Sequence, residues 1–143
     1  MFFLKDLPTQ QMVTGYLGQD EDARAQRVLT VLHKLRSASL LIRRLDEYFQ
    51  SHGLSQLRFL ILVVIDREPE HKALTASEIA QRLDVSKPVL SRTLDRLSAD
   101  GMIAFSANQK DFRKKEYHLL APGKDKLSSV MGDYLDIIIG ADT

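Results

Sequence analysis

The chain has 143 residues, 44% of them apolar and 27% charged, which is enough to bury a core without metals or disulfides and ordinary for a globular protein. It has no cysteine, which excludes a disulfide framework, a thiolate metal site and a thiol redox switch. The formal net charge is only +1, yet residues 86–115 carry seven Lys or Arg against three acids (net +4), and residues 116–143 carry five acids against two Lys (net −3). Charge segregated in this way can serve a polyanion locally although the whole chain is near neutral.

The histidines His33, His52, His71 and His118 share no metal-ligand spacing, so no metal is expected. The longest apolar run, residues 59–65, is far short of a membrane span. No basic stretch precedes the apolar residues at the N-terminus, so the reading is cytoplasmic, with no membrane partner.

In chain order, residues 1–20 read as an arm with a short helical turn near residues 10–16. Phe2, Phe3, Leu4, Leu7, Met12, Tyr16 and Leu17 make it apolar enough to be expected on a partner surface. Residues 21–49 read as one amphipathic helix about 40 Å long. Its stripe is Val28, Val31, Leu32, Leu35, Ala38, Ile42, Leu45 and Phe49, at steps of three and four, with Gly53 suited to end it.

Ser55 can cap the next helix, with Leu54 and Phe59 as a hydrophobic staple. Residues 59–65 are apolar all round, which fits a buried strand or a buried helix; the capping signals favour the helix. A loop is expected over residues 67–72. Thr75-Ala76-Ser77-Glu78 is a capping box opening a short helix. After a tight turn at Asp84-Val85-Ser86, Ser86 is expected to cap a further helix with Pro88 in its first turn. Val89 or Leu90, then Leu94 and Leu97, form its buried stripe, and Gly101 ends it. Residues 102–106 and 115–120 read as two strands joined by a polar hairpin, with Ile103 and Phe105 on one face. Pro122 and Gly123 are expected to break the chain before a last helix bearing Leu127, Val130, Met131, Tyr134, Leu135 and Ile138.

Helix, helix, tight turn, helix and hairpin in that order make a winged helix-turn-helix, so the fold class expected is mainly α with a small β-hairpin wing. With Leu90, Leu94 and Leu97 inward, the other face of the second helix presents Lys87, Pro88, Ser91, Arg92 and Asp95, next to the capping Ser86. The N-terminal residues of such a helix reach base edges, where an Arg can bind guanine through two hydrogen bonds. Ser86 and Ser91 have short hydroxyls suited to phosphates. The hairpin tip carries Lys110, Asp111, Arg113 and Lys114, and an Arg there can enter the minor groove. No Ser/His/Asp order, Gly-rich phosphate loop or paired carboxylate set points to an enzyme.

These residues resemble the MarR family of bacterial transcription regulators. The matching stretches are Thr75-Ala76-Ser77-Glu78-Ile79-Ala80, residues 85–97, Asp100-Gly101-Met102-Ile103 and the wing Asp111-Phe112-Arg113-Lys114-Lys115. The resemblance implies a homodimer on a pseudo-palindromic operator, acting as a repressor released by a small anionic aromatic effector, with no cofactor, and nucleoid-associated when bound. Asp111 is either a turn residue or, by the resemblance, a group that orients an Arg such as Arg113. The family carries Leu-Thr-x-x-Gly after the second wing strand; here Leu119-Leu120-Ala121-Pro122-Gly123 lacks the capping Thr. The organisation expected is residues 1–53 and 124–143 for dimerisation, flanking a DNA-binding domain at 54–123. The competing expectation is a winged helix that binds protein instead of DNA, which would leave the charge segregation without a purpose.

Overall fold

The computed structural model describes residues 2–67 and 73–142. The loop expected at 67–72 lies outside the described residues except for Arg67. The chain forms two compact units, residues 1–47 and 48–143. No helix among the described residues is long and apolar enough to cross a membrane.

The N-terminal unit holds α1 (Gln10–Leu17) and most of α2 (Asp22–Ser51). Thr9 starts α1, its hydroxyl accepting from the Met12 amide at 3.2 Å, which satisfies one of the amides a helix start leaves open. The Thr14 hydroxyl donates to Asp22 at 3.4 Å, and the Gln26 and Gln10 side chains are hydrogen-bonded, so α1 folds back on the first turns of α2. Val13 and Ala25 are buried there. The Arg36 guanidinium donates to the Leu4 carbonyl at 3.1 Å, which fastens the arm to α2 of its own chain. Phe3 and Tyr16 nevertheless stay exposed, at 85% and 96%. The expected α2 stripe also stays largely open: Val28, Val31, Leu35, Ala38 and Ile42 are exposed, while Leu45 is buried.

The second unit begins with the end of α2, where Gly53 at φ +70° reverses the chain and Phe49 is fully buried. Residues 59–65 lie within a helix, α3 (Gln56–Asp66), not a strand. Ser55 caps it, accepting from the Arg58 amide at 3.2 Å, and Leu54 and Phe59 are both buried as the staple requires. A two-residue strand, β1 (Leu74–Thr75), leads into α4 (Ala76–Ala80), where the Thr75–Glu78 capping box is fully formed. Then come α5 (Lys87–Ala99), β2 (Ile103–Ala107), β3 (Lys115–Leu119) and α6 (Ala121–Gly140).

The sheet is antiparallel in the order β1-β3-β2. Its register pairs Leu74 with Tyr117, Ile103 with Leu119 and Ala107 with Lys115. β1 was not foreseen, because two residues show no alternation and exist as a strand only through β3. The core packs Phe59, Ile61, Leu62, Leu74, Ile79, Leu94, Leu97 and Ile103 at near-zero exposure. Each such side chain contributes roughly 1.5–3 kcal/mol by burial.

Two expectations about the last helix are corrected. Pro122 and Gly123 do not break the chain; they form the first turn of α6, where proline's missing amide would have had no partner. Leu120 occupies the cap position and makes no side-chain cap bond, as the missing Thr implies. The apolar stripe of α6 is also not a single open face. Leu127 and Val130 are buried, and the Tyr134 ring packs on Phe59 and Phe49 with centroids 4.6 and 5.8 Å apart. Only Leu135, Ile138 and Ile139 stay exposed.

Candidate nucleic-acid interface

Amphipathicity orients α5. Leu90, Leu94 and Leu97 are buried at 3% exposure or less, which resolves the alternative of Val89, and Gly101 closes the helix at φ +73°. The outer face is therefore fixed: Ser86, Lys87, Pro88, Ser91 and Arg92 are all exposed on its N-terminal half. Ser86 holds the cap position with extended backbone, but its hydroxyl makes no cap hydrogen bond, contrary to expectation. The Ser86 hydroxyl is left facing outward, not spent on the helix.

Farther along α5, Arg96 pairs with Asp100 at 3.2 Å, and Arg58 of α3 reaches the same carboxylate at 3.8 Å. Asp95 lies near β3: burial first, and the Asp95 carboxylate second, raise the Tyr117 phenol above its ordinary pKa. Tyr117 therefore stays neutral.

The wing is an ordered loop. The Asn108 side-chain oxygen accepts from the amides of Lys110 (2.8 Å) and Asp111 (3.0 Å), and its amide group donates to the Glu116 carboxylate. The Asp111 carboxylate accepts from the Arg113 amide at 3.0 Å, and the Asp111 carbonyl from the Lys114 amide at 3.0 Å. Between the two readings of Asp111, the contacts support the turn: it holds Arg113 through main chain. With polar main-chain groups satisfied inward, Lys110, Phe112, Arg113 and Lys114 are all exposed. Phe105 shares its strand face with Ile103 but is exposed, because its position lies toward the projecting tip, where the Lys115 ammonium sits 4.2 Å above its ring.

The fold thus places all nine expected residues on the second unit, in two groups: five at the start of α5 and four in the wing loop. Asn108 was missed, although an Asn between two strands is a turn signal in its own right.

The MarR family's sequence profile matches residues 52–114. The chain is 27% identical over 144 residues to the HTH-type transcriptional repressor YetL of Bacillus subtilis (strain 168), covering 93% of this chain and 86% of that protein. Its fold is similar to that of AbsC, a MarR family transcriptional regulator from Streptomyces coelicolor, with a TM-score of 0.72, 22% identity and coverage of 87% and 80%. It is also similar to a mutant MarR from E. coli solved in complex with operator DNA, with a TM-score of 0.66, 23% identity and coverage of 77% and 79%.

Proposed function

We propose that the chain is a MarR-type transcription regulator that binds duplex DNA as a homodimer and represses transcription from a pseudo-palindromic operator; the match of residues 52–114 to the MarR family supports this reading. The observation that carries this is the pairing, on one unit, of an exposed cationic start to α5 with an ordered cationic wing. In this reading α5 enters the major groove. Lys87, Pro88 and Arg92 face base edges, and Ser86 and Ser91 face phosphates. Lys110, Arg113 and Lys114 follow the adjacent minor groove, with Asp111 shaping the loop.

A two-fold dimer has apolar surface to use. Val28, Val31, Leu35 and Ile42 are open on α2, and Leu135, Ile138 and Ile139 are open on α6. Two-fold pairing would set two recognition helices about 34–36 Å apart, one DNA turn. Release by a small anionic aromatic molecule is the regulation that the family resemblance implies.

Selection of bound sequences from random duplexes tests the proposal. The expected outcome is a palindrome with half-sites one turn apart. No enrichment over the starting pool would contradict it.

A further inference from the structure

We propose that the groove between the first turn of α3 and the outer face of α5 is a phosphodiester seat, in which Arg58 and Arg96 grip one backbone phosphate of the duplex and set how α5 lies. It rests on the DNA-binding reading above and adds a contact outside the nine residues that the sequence singled out.

The groove is a cavity of about 210 Å³ lined by Ser55, Arg58, Val89, Arg92, Thr93 and Arg96. Three guanidinium groups border it, and Asp100 is bound by two of them, Arg58 and Arg96, through the same oxygen. Among the described residues, three cations at the groove against this shared acid leave a local excess of positive charge. Collecting like charges is unfavourable unless an anion joins them. Arg58 is held in place: its side chain is only 18% exposed, and its Nε donates to the Ser55 hydroxyl at 3.4 Å. Both of its side-chain contacts are long, 3.4 and 3.8 Å, so its five donors are far from saturated. An oxygen-rich, planar-fork acceptor such as a phosphate suits what remains. Arg96, at 67% exposure, closes the other side from α5. Arg92 stands at the rim, one turn nearer the helix start, where the bases would lie. A phosphate gripped by Arg58 and Arg96 therefore joins α3 and α5 to the same strand and aims Arg92.

The test uses the full chain and a labelled duplex from the random-pool selection, with Arg58→Gln, Arg96→Gln and Asp100→Asn. Each Arg variant should weaken binding by about tenfold, on the selected and on a scrambled duplex alike. Each should also reduce the slope of log affinity against log salt by about one per protomer. Asp100→Asn should tighten binding, which a merely destabilised variant would not do. Replacing single phosphates by neutral methylphosphonate should reveal one position at which the parent and Arg96→Gln bind equally. Inorganic phosphate at matched ionic strength should not displace the duplex. If Arg58→Gln fails to fold, the exposed Arg96 and Asp100→Asn decide the matter. Unchanged slopes in a parent that binds steeply would overturn the seat alone. Displacement by inorganic phosphate would also overturn it, assigning the groove to the free anion. A parent that binds no duplex would overturn the DNA reading and the seat together.

Discussion

Gly123, in the first turn of α6, lies against the Met102 carbonyl that leads into β2, so closely that a Cβ at Gly123 would collide with that oxygen. The same carbonyl accepts from the Leu120 amide at 2.9 Å, which fastens the end of β3 to the start of β2. Gly123→Ala should therefore destabilise the second unit by about 1–3 kcal/mol, the cost of overpacking against main chain that cannot yield. Denaturant unfolding would show a lower midpoint at an unchanged slope. An unchanged midpoint would mean that the approach relaxes freely.

The capping box at Thr75 makes a second stability prediction. Its hydroxyl accepts from the Glu78 amide at 3.2 Å, the Glu78 carboxylate receives the Thr75 amide, and Thr75 is buried at 7% exposure. Thr75→Ala should cost about 0.5–2 kcal/mol in unfolding free energy, and Thr75→Ser should recover most of it.

Features written in local chemistry were legible in the sequence: the 3.6-residue period of α2 and α5, the Ser55 staple, the Thr75 box and Gly101 as a terminator. What depended on distant chain was not. β1 exists because Leu74 meets Tyr117. Pro122 and Gly123 read locally as breakers, yet proline fits a first turn and the glycine answers to Met102, some twenty residues earlier. Periodicity showed that Tyr134 shares a stripe with Ile138 but not that Tyr134 is taken up by Phe59. The candidate site divides in the same way. The five residues on α5 follow from helical spacing, whereas the groove at Arg58 needs two helices brought together.

The wing loop should matter to binding and little to folding. Asn108→Ala removes the acceptor for the Lys110 and Asp111 amides, and Asp111→Ala removes the one for Arg113. Each should lower duplex affinity several-fold by raising the cost of ordering the tip, while the unfolding free energy stays within about 0.5 kcal/mol of the parent. A drop in stability matching the drop in affinity would contradict this division.

Two aspartate substitutions on α6 should separate the core from the dimer. Tyr134→Asp places a charge among Phe49 and Phe59 and should unfold or strongly destabilise the unit. Ile139→Asp alters a side chain that is 68% exposed, so it should leave the fold intact and shift the mass measured by light scattering toward monomer. A stable dimer for Ile139→Asp would move the interface to other open surface, such as the α2 stripe.

Base reading and phosphate holding should part on substitution. Arg92→Ala should cost about 1–3 kcal/mol on the selected duplex and flatten base preference at one position per half-site. Arg113→Ala should weaken selected and scrambled duplexes more nearly alike. Parent-like binding by Arg92→Ala would remove α5 from base recognition.

The central claim, that the cationic start of α5 and the cationic wing hold duplex DNA, is tested most directly by titrating labelled duplex across salt concentrations. A dimer making about 6–10 phosphate contacts should lose roughly three to five decades of affinity between 50 and 200 mM salt. A flat response over that range would contradict the account.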